Sequence, residues 1–101
     1  MDAMEAAAER PHSVVLLPEV LDMRAAAPLA AELLERRGRD VEVNASAVRR
    51  IGGQCLQVLL AADACWRADA LGFRVVSPSS DFTEGLALLG APPALAPVPG
   101  V

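Results

Sequence analysis

At 101 residues the chain holds one domain with a single modest core. Hydrophobic residues make up 53% of it against 22% charged, which excludes a disordered tail. The net charge of −4 argues against a protein that lives on nucleic-acid phosphates or an anionic membrane surface, both of which want a basic face.

The leader MDAMEAAAERPHS carries acids on both sides of its alanine run and no basic segment before it, so it does not read as a secretory signal. No apolar run approaches the roughly 18 to 20 residues needed to span a bilayer. A cytoplasmic product is therefore expected. Residues 1–12 read as a flexible leader, with His12, the single histidine, as a solvated residue before the first strand.

Ser13 to Leu17, SVVLL, is an apolar β-branched run stopped by Pro18, which predicts a buried strand. Asp22 then reads as an N-cap. Ala26, Leu29, Ala30, Leu33, Leu34 and Arg37 follow helical spacing, with Glu32 and Arg36 paired at i,i+4 on another face. Pro28 should bend the start of this helix, and Gly38 should end it.

Asp40 to Asn44, DVEVN, alternates apolar and polar positions and predicts a second strand. After a loop, a helix is expected from Gly53 or Gln54 to about Ala70. Phe73 to Val76 predicts a third strand. Ser77-Pro78-Ser79-Ser80 is a turn into a helix whose start carries Asp81 and Glu84 in capping-box spacing, with Phe82, Leu86 and Leu89 as its apolar stripe and Gly90 as its stop. The Pro-rich stretch 92–101 reads as an extended, flexible tail. The order β-α-β-α-β-α over residues 13–91 predicts an α/β domain built on a small, predominantly parallel sheet of three to four strands.

The central helix carries two stripes. Leu59, Ala62 and Trp66 fall within about 40° of Cys55 on the helical wheel, and this stripe should face the sheet. Leu56, Leu60, Asp63 and Arg67 form a second stripe, with Asp63 and Arg67 placed to pair. Its two leucines are either packed under a neighbouring helix, the favoured alternative, or exposed for a partner.

Gly52-Gly53 precedes this helix, whose N-terminus could hold an anion beside Arg49 and Arg50. The phosphate-loop pattern is absent, so a tight turn with solvated arginines is favoured. The nearest thing to a basic patch is Arg36, Arg37, Arg39, Arg49 and Arg50, in or beside two connections. Cys55 in the first turn could be a thiolate, but no base accompanies it, and a small buried hydrophobe is the better reading. Cys65 lies ten residues further on, about 15 Å of helical rise, beyond the roughly 7 Å a disulfide tolerates. One histidine and two distant cysteines make no metal site. No catalytic set and no cofactor fingerprint emerges, and a non-enzyme is expected.

The stretch VEVNASAV-RRI-GGQCL resembles the STAS domain, the module of sulphate transporters and anti-sigma-factor antagonists. That family carries a strand of the type VVLDLSGV, then x-x-[I/M], then D-S-[S/A]-G-L before a helix. Asn44 takes the place of the strand-end Asp, Gly52 that of Asp, and Gly53 that of the phosphorylatable Ser or Thr. Gln54 and Cys55 replace the next two residues, and Leu56 matches. LPEVLDMRAAAPLAAELLE and FRVVSPSSDFTEGLALLGA extend the likeness over about residues 13 to 91.

The resemblance implies a non-catalytic module that docks a protein through Ser46, Arg49, Arg50, Gly52, Gly53, Gln54, Leu56, Gln57 and Leu60. No phosphorylation is expected at Gly53, and no cofactor or metal. The GGQCL variant is similar to small stand-alone members associated with bacterial chemotaxis, which points to a histidine kinase or anti-sigma-type partner. Two alternatives remain: a subunit on the ATPase of a lipid-transport ABC complex, and an anion- or nucleotide-binding sensor.

Overall fold

The computed structural model describes residues 12–92 and Leu95. Most of the expected leader, and the tail apart from Pro92 and Leu95, lie outside the described residues. Eight elements follow in order: β1 (His12–Leu16), β2 (Val20–Leu21), α1 (Met23–Leu34), β3 (Asp40–Asn44), β4 (Arg50–Ile51), α2 (Gly53–Ala68), β5 (Phe73–Val76) and α3 (Ser80–Leu88). The three strands expected from β-branched residues form one parallel sheet in the order β1-β3-β5, with Val15 level with Val43 and Val43 with Val75. His12 is the first residue of β1, paired with Asp40.

The alternation of strand side chains gives that sheet two unlike faces. Val15, Val41 and Val43 are buried, whereas Val14 and Leu16 are exposed. Helix α2 supplies Cys55, Leu59, Ala62 and Trp66 to the core, the stripe expected from its spacing. Trp66 locks this packing at two points. Its Nε1 donates to the Arg39 carbonyl at 2.7 Å, and its ring lies 5.8 Å from that of Phe73 on β5. An indole N–H buried without an acceptor would be costly, so that bond accompanies the burial.

Helix α1 begins where expected: the Asp22 carboxylate accepts from the N–H groups of Arg24 and Ala25. It stops sooner than Gly38 suggested. The helix proper ends at Leu34, and the N–H groups of Arg36 and Arg37 tighten back onto the carbonyls of Leu33 and Leu34. Gly38, at φ +93°, is where the chain reverses in the left-handed region, four residues beyond the last helical one.

Helix α3 also starts differently from expectation. Its cap is Ser79, whose Oγ accepts from the Phe82 N–H, so Asp81 sits inside the first turn. Leu95 is 2% exposed and joins the core, so the Pro-rich segment contributes at least this side chain to the folded domain.

A second, smaller sheet was not expected. β2 and β4, two residues each, pair in parallel, Val20 with Arg50 and Leu21 with Ile51. Leu21 and Ile51 turn inward and are buried, and α3 packs onto β4 at Gly85. A Cβ at Gly85 would stand 2.6 Å from Cγ2 of Ile51, a branched side chain with little rotamer freedom. Gly85→Ala should therefore push α3 off β4 and cost about 1–3 kcal/mol, read as a lowered urea midpoint.

Candidate docking surface at the start of α2

The connection from β3 to α2 is held by backbone and by two short polar side chains. Asn44 Oδ1 accepts from both the N–H and the hydroxyl of Ser46, closing a local turn at the end of β3. The Ala45 carbonyl accepts from the N–H groups of Val48 and Ser79, and the Ser79 hydroxyl donates to the Val48 carbonyl. Ser79 thus caps α3 and ties it to the loop. Ala45 and Val48 are buried beneath these bonds, leaving Ser46 exposed above them.

The chain then runs along β2. The Glu19 carbonyl accepts from the N–H groups of Arg49 and Arg50, and the Gly52 N–H donates to the Leu21 carbonyl at 2.9 Å. This brings the N-termini of α1 and α2 together: Cys55 Sγ donates to the carbonyl of Asp22, the α1 cap, at 3.2 Å. Asp22 caps α1 through its carboxylate, while α2 is preceded by Gly52, which has no side chain to cap with. The first N–H groups of α2 have no acceptor within the helix.

The two glycines are not demanded by the backbone. Gly52 is extended at φ −105°, ψ 173°, where any residue fits, and a Cβ on it would make ordinary contact at 3.6 Å with the Leu21 carbonyl. Gly53 is exposed, and a Cβ there would meet nothing within 4 Å. The connection at Gly52-Gly53 thus has no conformational need of glycine.

Of the residues expected to form one surface, Ser46, Arg49, Arg50, Gly53, Gln54 and Gln57 are exposed and Gly52 is partly so. Leu56 is 5% exposed and belongs to the core, and Leu60 is partly buried against that core. The second stripe of α2 is thus packed. Its polar end is the expected ion pair, Asp63 to Arg67 at 3.1 Å.

The five arginines do not form one patch. Arg36 and Arg37 lie at the start of β3, paired with Glu32 and Asp69. Arg39 adjoins the same strand end. Arg49 and Arg50 follow its far end, about 16 Å away along five residues of strand. What the β2–β4 pairing sets beside Arg50 instead is Val20, with Met23 and Arg24 three and four residues further on at the start of α1. The sequence did carry a signal for it. Val-Leu-Asp at 20–22 and Arg-Ile-Gly at 50–52 share a pattern, one inward apolar residue and then a cap, each just before a helix.

Cys55 is fully buried, and burial pushes its thiol pKa up, with the nearby charge of Asp22 adding to the rise. That opposes thiolate chemistry. Cys65 is also a free thiol. Among the described residues no group of His, Cys, Asp and Glu is placed to hold a metal ion.

A family model described as Mlab, STAS domain matches residues 4–93, and the chain belongs to the STAS domain family. The match takes in most of the segment read as a leader and reaches the start of the tail. No curated protein and no solved structure gives a match. STAS domains are typically regulatory modules that bind other proteins. No helix among the described residues is long and apolar enough to cross a membrane.

The raised Cys55 pKa sets the sign of a pH effect. The folded chain holds the thiol proton to higher pH than the unfolded chain, so unfolding is favoured once the unfolded thiol ionises, above about pH 8.5. Urea midpoints taken between pH 7 and 9.5 should fall more steeply for the native chain than for Cys55→Ala. In the same assay Gly53→Ala should be neutral or stabilising by up to about 1 kcal/mol, because the site has room and the unfolded chain loses freedom.

Proposed function

We propose that the chain is a non-catalytic interaction module of bacterial signalling, acting in the cytoplasm. It docks a histidine kinase or anti-sigma-type partner through the start of α2, and a kinase of chemotaxis is the narrower reading. The observation that carries this is the side-chain-free Gly52-Gly53 step at the start of α2, Gly53 exposed and Gly52 partly so, preceded by the exposed Arg49 and Arg50. Ser46, Gln54 and Gln57 complete the surface. Leu56 is left out of it, and Leu60 contributes only its exposed part.

Gly53 falls at the position where the STAS pattern places its phosphorylatable Ser or Thr. Glycine has no hydroxyl to accept a phosphoryl group, so docking here proceeds without a phosphate switch at that position. A bulky side chain at Gly53 would block the approach while leaving the fold alone, because a Cβ there meets nothing within 4 Å.

The test uses the partner that co-purifies with the native chain from its own cytoplasm, identified by mass spectrometry. Gly53→Glu should keep the native melting temperature and lose at least tenfold in affinity for that partner. Unchanged affinity in the folded variant overturns the docking assignment. Recovery of a transporter ATPase in place of a kinase would keep the surface and transfer the protein to the lipid-transport system.

A further inference from the structure

The β2–β4 pair has an inward face and an outward face. Leu21 and Ile51 turn inward and are buried, so their neighbours Val20 and Arg50, opposite each other in the pairing, both turn outward and are exposed. Val20 is 41% exposed and Met23, at the start of α1, is 72% exposed. Two apolar side chains therefore stand at the end of the domain where Arg24, Arg49 and Arg50 also emerge.

The charges there are incompletely neutralised. Arg24 and Arg50 form no ion pair among the described residues, and Arg49 reaches Glu19 only at 3.8 Å, with both side chains largely solvated. The Asp22 carboxylate is engaged by two backbone N–H groups. Asp81 and Glu84 on α3, the helix packed on β4, form no ion pair with these arginines. The uncapped start of α2 adds positive potential at the same end. Three arginines thus stand there against the carboxylates of Glu19 and Asp22, in a chain of net charge −4.

We infer that the outward face of β2–β4 and the adjoining start of α1 receive an acidic segment of the partner that carries apolar anchors. Its aliphatic side chains pack on Val20 and Met23, and its carboxylates lie against Arg24, Arg49 and Arg50. This rests on the docking assignment above and specifies the chemistry of what docks. Rim charges of this kind govern orientation and encounter rate, while the small apolar centre holds the complex. The overall negative charge of the chain would repel an acidic segment from other approaches.

The probe is a 14-residue amphipathic peptide of Leu and Glu, titrated into the isotopically labelled full chain at low ionic strength and followed by amide chemical shifts. Two controls replace every Glu by Lys or every Leu by Ser. The Leu/Glu peptide should produce saturable shifts at residues 19–24 and 49–54, and each control should bind at least tenfold more weakly. Arg24→Glu with Arg50→Glu should invert the preference towards the Lys peptide. Arg24→Gln with Arg50→Gln, a milder change at the same exposed positions, should abolish the preference without inverting it.

Equal binding of the Glu and Lys peptides overturns the inference. So does shifting confined to the apolar groove between α1 and α2 at Leu34, Val58 and Cys65, or no saturable shift at millimolar peptide. If the peptide fails while Gly53→Glu still blocks the co-purified partner, the docking assignment stands and the acidic chemistry falls. If Gly53→Glu leaves the partner bound, the docking assignment itself is lost.

Discussion

The domain depends on burying one face of a three-stranded parallel sheet, and α2 is the element that does most of this. Val15, Val41 and Val43 are almost wholly removed from water, as are Cys55, Leu59 and Trp66 facing them. At about 25 cal/mol per Å² of apolar surface, each such side chain contributes on the order of 1.5–3 kcal/mol before the entropy of ordering is subtracted. Trp66 fixes the far end of the helix by its bond to Arg39 and its contact with Phe73. The near end, where Gly52 and Gly53 lie, is the other terminus of the same 16-residue helix.

The near end is then held by the smaller sheet. Two residues of β2 and two of β4 stabilise little by themselves, since so short a pairing cannot offset its own ordering. It persists because Leu21 and Ile51 reach the same core, Gly85 lets α3 close over Ile51, and Cys55 bonds to the Asp22 carbonyl. The consequence is geometric. Two helices that start in different parts of the chain begin side by side, and residues thirty positions apart share one surface.

The main elements were legible because their signals are local and repeated. β-Branched runs mark β1, β3 and β5, and the 3.6-residue spacing of Cys55, Leu59, Ala62 and Trp66 marks the inward stripe of α2. The STAS pattern, carried by the same residues, points to the family that the match over residues 4–93 supports. β2 and β4 were missed because two residues hold no period. Sequence proximity alone sets Arg49 and Arg50 with Arg36, Arg37 and Arg39, whereas β3 separates the two groups. The wheel favours a packed Leu56 while the family resemblance implies a surface one, and the side chain lies in the core as the wheel suggests.

Glycines in this chain serve unlike purposes, and comparing them sharpens what the start of α2 is for. Gly38 lies in the left-handed region where a side chain is strained, and Gly85 sits where a methyl group would strike Ile51. Each is explained by the chain itself. Gly52 and Gly53 meet neither condition: Gly52 is tolerated as the helix N-cap, while Gly53 opens the helix with no return inside the fold. On the docking assignment the return lies outside the molecule: a backbone that a partner can approach closely, beside arginines that orient it. The same absence that opens the surface removes the hydroxyl. On that assignment, docking at Gly53 proceeds without a phosphate switch at that position.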